Sequence, residues 1–167
     1  IVAGTILPNS VTPASGSGLS QIFTLEYSDT AGTGAIATVS ALFHATFAAN
    51  PANSCMLSYD RAASTLYLLN DAGTLWMPGT PGTPGTLQNS ACFATLGSSG
   101  VALTNNTLWL TVAMTFRPSY AGAKNVYMLG SDTGGANSGW QQRGTWTVPA
   151  VSATVTADSV TPNTGSG

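Results

Sequence analysis

Charge is what this sequence has least of. Only 6% of its 167 residues are Asp, Glu, Lys or Arg, against roughly a quarter in an ordinary soluble domain. The four basic side chains, Arg61, Arg117, Lys124 and Arg143, are scattered along the chain. They cannot form a basic stripe, which excludes nucleic acid held through its phosphates and an anionic membrane surface as partners. His44 is the only histidine and Glu26 the only glutamate. A Ser–His–acid triad would have to be built on His44, which lies in an Ala/Phe-rich segment with no nucleophile elbow nearby. Paired carboxylates for glycoside hydrolysis would have to come from Glu26 and Asp29, Asp60, Asp71, Asp132 or Asp158. Those aspartates all fall at turns or strand ends, where Asp belongs for conformational reasons. No apolar run reaches membrane-spanning length. No segment has the period and caps of an amphipathic helix, so no phosphate-cradling Gly loop opens one. The expectation is a protein without catalysis. No leader-like segment opens the chain, which is expected to be mature, internal to a longer precursor, or a fragment.

What is present in quantity is Ser, Thr, Asn, Gly and short apolar runs that alternate. Ile22–Tyr27 places Phe23, Leu25 and Tyr27 on one face and Thr24 and Glu26 on the other. Leu108–Phe116 does the same with Leu108, Leu110, Val112, Met114 and Phe116 against Trp109, Thr111, Ala113 and Thr115. This period of two predicts half-buried strands. Further strands are predicted over Ile36–Phe47, Leu87–Leu96, Asn125–Leu129 and within Trp140–Val148. Cys55–Tyr59 and Thr65–Leu69 read as a hairpin, next to a short Leu75–Met77 segment. Ile1–Leu7 is β-prone, and Pro8, Pro13 and the Gly16-Ser17-Gly18 cluster punctuate the stretch after it. Pro78–Gly85, PGTPGTPG, is predicted as an exposed loop that is neither strand nor helix. Eight or more short strands separated by turns predict an all-β sandwich.

The two cysteines, Cys55 and Cys92, each lie in a strand-like segment, and an even count in an uncharged β sequence favours a disulfide. Two cysteines and one histidine lack the spacing of a metal site. Among small ligands calcium is the best candidate, through Asp60, Asn70 and Asp71 or through Asp132 and Asn137. Lys124 is a candidate for an isopeptide bond to an Asn or Asp promoted by a buried acid, since Glu26 and Lys124 lie on different predicted strands and could approach. Of the four tryptophans, Trp109, Trp140 and Trp146 fall on or beside strands, and one or two should be core. Trp76, with Tyr67, is the candidate stacking platform for a sugar.

The ends of the chain repeat each other. Val151–Gly167, VSATVTADSVTPNTGSG, aligns without gaps on Val2–Gly18, VAGTILPNSVTPASGSG. Ser159-Val160-Thr161-Pro162 falls on Ser10-Val11-Thr12-Pro13, and Gly165-Ser166-Gly167 on Gly16-Ser17-Gly18. Self-similarity at a fixed offset marks an array. Residues 1–149 are therefore read as one module, and 150–167 as a linker and first strand of a next repeat or as an inter-subunit strand. Within that tail Val151, Val155 and Val160 are the candidate inter-module contacts, because apolar and polar residues alternate there.

Ser10–Gly18, Tyr59–Gly73 (YDRAASTLYLLNDAG), Pro78–Gly85, Leu87–Cys92, Leu108–Phe116, Lys124–Trp140 and Gly144–Pro149 are spread along nearly the whole chain. In these stretches the sequence resembles an immunoglobulin-like, fibronectin type III-like module found in tandem in very large secreted bacterial proteins. The resemblance implies an antiparallel immunoglobulin-like β-sandwich with a Cys55–Cys92 bridge, in an extracellular or cell-surface structural or adhesive repeat. The expected function is a structural unit assembling head-to-tail with neighbouring copies, without cofactor. The alternative is a carbohydrate-binding or adhesive module with a glycan partner.

Overall fold

The computed structural model describes residues 4–150. Val151, Val155 and Val160 lie outside the described residues, as does the rest of the C-terminal tail. Eleven strands run β1 (Ile6–Thr12), β2 (Ser20–Asp29), β3 (Ile36–His44), β4 (Cys55–Asp60), β5 (Thr65–Leu69), β6 (Trp76–Gly79), β7 (Thr86–Gln88), β8 (Cys92–Thr104), β9 (Thr107–Phe116), β10 (Gly122–Asp132) and β11 (Gln141–Val148). They form a five-stranded sheet, β1-β2-β9-β8-β7, and a six-stranded sheet, β11-β10-β3-β4-β5-β6. All the pairings between these strands are antiparallel. The architecture is the β-sandwich that the alternating segments predict, of the immunoglobulin-like kind that the resemblance implies.

Alternation places the core. β9 buries every second side chain from Leu108 to Phe116, and β2 buries Phe23, Leu25 and Tyr27 opposite it. Facing them from the second sheet are Val39, Ala41, Phe43, Leu57, Leu66, Leu68, Val126 and Met128. At one end of this layer Phe23 packs 4.9 Å from Phe43 and 5.1 Å from Trp146, and Phe43 packs 5.4 Å from Phe116, between ring centroids. Tilted and edge-on aromatic pairs of this kind contribute beyond their buried area. The buried Tyr27 hydroxyl donates to the Ser40 carbonyl at 2.7 Å, which satisfies it inside the core.

Two prolines sit where the sequence pattern gives no strand. β1 runs through Pro8 and β6 ends on Pro78-Gly79. Both are edge strands, where the missing N–H faces away from the ladder and costs nothing. β1 also has a register shift between Pro8 and Ser10. The expectation that Pro78–Gly85 forms no strand is thus corrected for its first two residues, while the rest is a mostly exposed turn. β8 extends to Thr104, well past Leu96, because a bulge between Thr95 and Gly100 lets the strand resume. Ser99 repairs the gap: its Oγ donates to the Thr95 carbonyl and accepts from the Ala113 N–H. β3 stops at His44, short of Phe47.

Candidate functional site

The cysteines are joined. Cys55 on β4 and Cys92 on β8 link the two sheets with an S–S distance of 2.08 Å and a Cα–Cα separation of 5.8 Å. Asn89, which sequence reasoning does not single out, holds the surroundings. Its Nδ2 donates to the carbonyls of Ser54 and Leu69, and its Oδ1 accepts from the N–H groups of Ala91 and Cys92. The side chain thereby fixes the residue before one cysteine to the backbone of the other.

The repeated motif at the start of the chain has a defined structural task. β1 belongs to the five-stranded sheet, but the chain then crosses to the other sheet, after a cis Thr12–Pro13 peptide. Thr145 and Thr147 of β11 donate their N–H groups to the carbonyls of Ala14 and Gly16, and Gly18 N–H donates back to Thr147. Ser17 and Thr147 form a parallel bridge. Residues 14–18 therefore cover the open edge of β11. Val11 is buried in the core. Trp146 Nε1 donates to the Gly18 carbonyl at 2.9 Å. A Cβ on Gly16, whose φ is +147°, would lie 2.6 Å from the Trp146 ring, so only glycine lets the backbone cross there. Of the residues that make this closure, Gly16, Ser17 and Gly18 recur in the tail as Gly165, Ser166 and Gly167, and Ala14, which takes part through its carbonyl, is replaced there by Asn163.

The module has two distinct poles. Gly4 donates its N–H to Asp132 at the far end of β10. Val148 ends β11 opposite Gly122, at the start of β10. The chain thus enters at one end of the sandwich and leaves at the other, about 35 Å away along the eleven residues of β10.

At the entry pole lies a buried carboxyl pair. Asp29 is fully buried, and its Oδ2 has no hydrogen-bond partner if both acids are ionised. Its Oδ1 accepts from the Ala31 N–H. Burial raises the Asp29 pKa above the usual carboxylate range, and the charge of Asp132 raises it further. For Asp132 burial also pushes upward. The N–H groups of Ala136, Gly4 and Gly134, with the Asp29 carboxyl, outweigh it and leave the group below its usual range. Within this pair Asp29 keeps its proton to higher pH than Asp132 does. The two signs differ. The stabilising contribution of Asp29 is present at low pH and is lost as pH rises through its elevated pKa. That of Asp132 is present above the ordinary Asp range and is lost as pH falls through its depressed pKa. The native chain is expected to lose stability as pH rises from about 4, and Asp29→Asn, which mimics the protonated acid, is expected to remove that fall. Urea midpoints measured across acidic to neutral pH check this. An unchanged pH slope would show that Asp29 is ionised in the folded protein.

The other candidates fall apart in space. His44 is half-buried, and its Nδ1 lies 2.6 Å from the Tyr120 hydroxyl. Burial, and secondarily Lys124, lowers its pKa. Tyr120 Oη also donates to the Phe43 carbonyl and accepts from Cys55 N–H, so the histidine belongs to a packing network. Glu26 and Lys124 do not approach each other. Glu26 lies on the outer face of the five-stranded sheet, accepting from Asn9 and Ser10. Lys124, in the six-stranded sheet, places its ammonium 3.9 Å from the centroid of the Tyr120 ring. The crosslink expectation is corrected accordingly. Most of the oxygens considered for calcium accept backbone N–H groups. Asn70 accepts from Thr74 and Leu75, Asp71 from Ser90, Asp132 from Gly4, Gly134 and Ala136, and Asn137 from Gly139. Among the described residues no three His, Cys, Asp or Glu side chains group as a metal site, and no helix is long and apolar enough to cross a membrane.

Of the tryptophans only Trp146 is core. Trp109 faces outward on β9, paired with Glu26. Trp76 and Trp140 lie with Tyr127 over Leu42, Met56 and Leu69, a second small apolar cluster on the outer face of the six-stranded sheet. Phe47 joins it, 5.6 Å from Tyr127 and 5.6 Å from Trp140. Beside this cluster is an open depression of about 200 Å³ lined by Thr38, Ser58, Asp60, Tyr67 and Trp76. No protein-family model matches the chain, and no curated protein matches it in sequence.

Proposed function

We propose that this chain is a non-catalytic, extracellular structural module that joins neighbouring copies head-to-tail. The observation that carries the reading is the closure of the β11 edge by residues 14–18. The tail repeats most of the residues responsible for that closure, yet the edge of its own module is already occupied by the first copy. Residues 151–167 are therefore suited to the equivalent edge of a neighbour, either as the start of the next covalent repeat or as a strand that takes the place of that neighbour's own residues 14–18. Backbone hydrogen bonds supply affinity in such strand addition, and alternate side chains supply register. Entry and exit at opposite poles suit an in-line array, and a head-to-tail contact propagates rather than closing in pairs. The inter-sheet disulfide and the nearly uncharged Ser/Thr surface fit an oxidising environment outside the cell.

The test is exchange of one copy of the motif for the other. The protein lacking residues 1–18 should be refolded with a peptide of residues 2–18 or with a peptide of residues 151–167. Both peptides are expected to restore the fold, at similar concentrations and with one-to-one stoichiometry. Rescue by the first peptide alone would overturn the reading.

A further inference from the structure

The depression on the outer face of the six-stranded sheet has a chemistry that the array does not use. β4 and β5 pair Ser58 with Tyr67, β3 and β4 pair Thr38 with Asp60, and β6 adds Trp76 at the edge. The register therefore gathers two hydroxyls, one carboxylate and two aromatic rings around one open site. The polar atoms are held in place. Ser58 Oγ accepts from Ser40, Thr38 Oγ1 lies 2.6 Å from Ser131 Oγ, and Asp60 Oδ1 accepts from the Ala63 N–H at 3.0 Å. Asp60 Oδ2 has no hydrogen-bond partner among the described residues. Trp76 is seated against the apolar cluster of Leu42, Met56 and Leu69, so its ring needs little ordering when a ligand arrives.

We propose that this groove binds one neutral pyranose ring of a glycan. The C–H face of a pyranose is apolar and fits against an indole or phenol ring, while its rim of hydroxyls matches a carboxylate that accepts and serine and threonine hydroxyls that donate and accept. The volume, about 200 Å³, is below the ~300–1,000 Å³ of a site for a drug-sized ligand, which suits a single ring. The only charged lining residue is Asp60, so a neutral sugar is favoured and a sialylated or uronic acid ring is disfavoured. Such a site on every module of an array gives weak single contacts that add through multivalency.

The full chain should be titrated with maltotriose, cellotriose, mannotriose and chitotriose, with 3′-sialyllactose as the charged comparison, and followed by amide NMR shifts. The expected result is saturable shifts with at least one neutral trisaccharide, centred on Thr38, Ser58, Asp60, Tyr67 and Trp76. Trp76→Ala and Asp60→Asn should each weaken binding at least tenfold. Asp60→Asn keeps the Oδ1 acceptor of the turn and so guards against a fold defect, and Trp109→Ala, on the opposite sheet, should leave binding unchanged. The proposal fails if none of the four neutral sugars gives saturable shifts there, if sialyllactose binds more tightly, or if neither groove variant weakens binding. It also fails if the same residues shift on raising protein concentration alone, which would assign the face to a second copy. The chain ending at Pro149 should bind equally well, which keeps this outcome separate from that of the array.

Discussion

Trp146→Ala is expected to destabilise the module by about 3–5 kcal/mol, the range for removing a large aromatic from a packed core. The ring is 4% exposed and packs edge-on against Phe23. It also supports the crossing at Gly16 and donates to the Gly18 carbonyl. Truncation therefore opens a cavity, leaves that carbonyl without its donor and loosens the cover over β11. Thr145→Ala, exposed on the same strand, should change stability by no more than about 0.5 kcal/mol. Chemical denaturation of the two variants checks both values. A double-mutant cycle with Gly16→Val is the sharper measurement. Because both changes act on one contact, their effects should be clearly less than additive. Additive losses would mean that the motif and the tryptophan are energetically independent.

The second large effect is expected at the disulfide. Cys55 and Cys92 are 37 residues apart, and closing a loop of that size restricts the unfolded chain by about 4 kcal/mol in the chain-entropy treatment. Set against a typical total of about 5–15 kcal/mol, this is a large share. Replacing both cysteines by alanine should lower the melting temperature by roughly 8–16 °C for a domain of this size. The fold should survive, since the Asn89 bonds and the aromatic core do not depend on the sulfurs. Calorimetry of the oxidised protein and the double variant checks the shift. Two alkylatable thiols in native material would contradict the bridge itself.

Strands whose two faces differ sharply are legible from residue order. β2 and β9 alternate without interruption, and the burial of their side chains follows that alternation. The hairpin of β4 and β5 is equally clear. What escapes depends on position within a sheet. Pro8 and Pro78 break a strand pattern, yet they are tolerated because their strands lie at edges, and nothing local announces an edge. Residues 97–104 lose their period to the bulge, so a glycine- and serine-rich tail of β8 reads as loop. The same limit applies to the sites. The cysteine pair is visible because pairing chemistry is strong and only two are available. Trp76 and Tyr67 are visible as aromatics near a turn, but Thr38 and Asp60 reach them only through the register of β3, β4 and β5. Residue order alone allows Glu26 and Lys124 to meet, because strand order in the two sheets is a long-range property that no short window contains.

The parallel run of the first and last segments has a mechanical consequence. β1 and β11 both travel from the entry pole to the exit pole, tied by the Arg143 Nε bond to the Pro8 carbonyl and by the bonds from residues 14–18 to Thr145 and Thr147. A pull applied to the two ends slides these segments past each other lengthwise. The hydrogen bonds between them lie across the direction of force, so they share the load and must break together rather than peel one at a time. Should they give way, the Cys55–Cys92 bridge still keeps the chain between two residues 37 apart in sequence from paying out, withholding roughly 120 Å of slack. Strung in series, such modules would behave as stiff links with a built-in limit to their stretch.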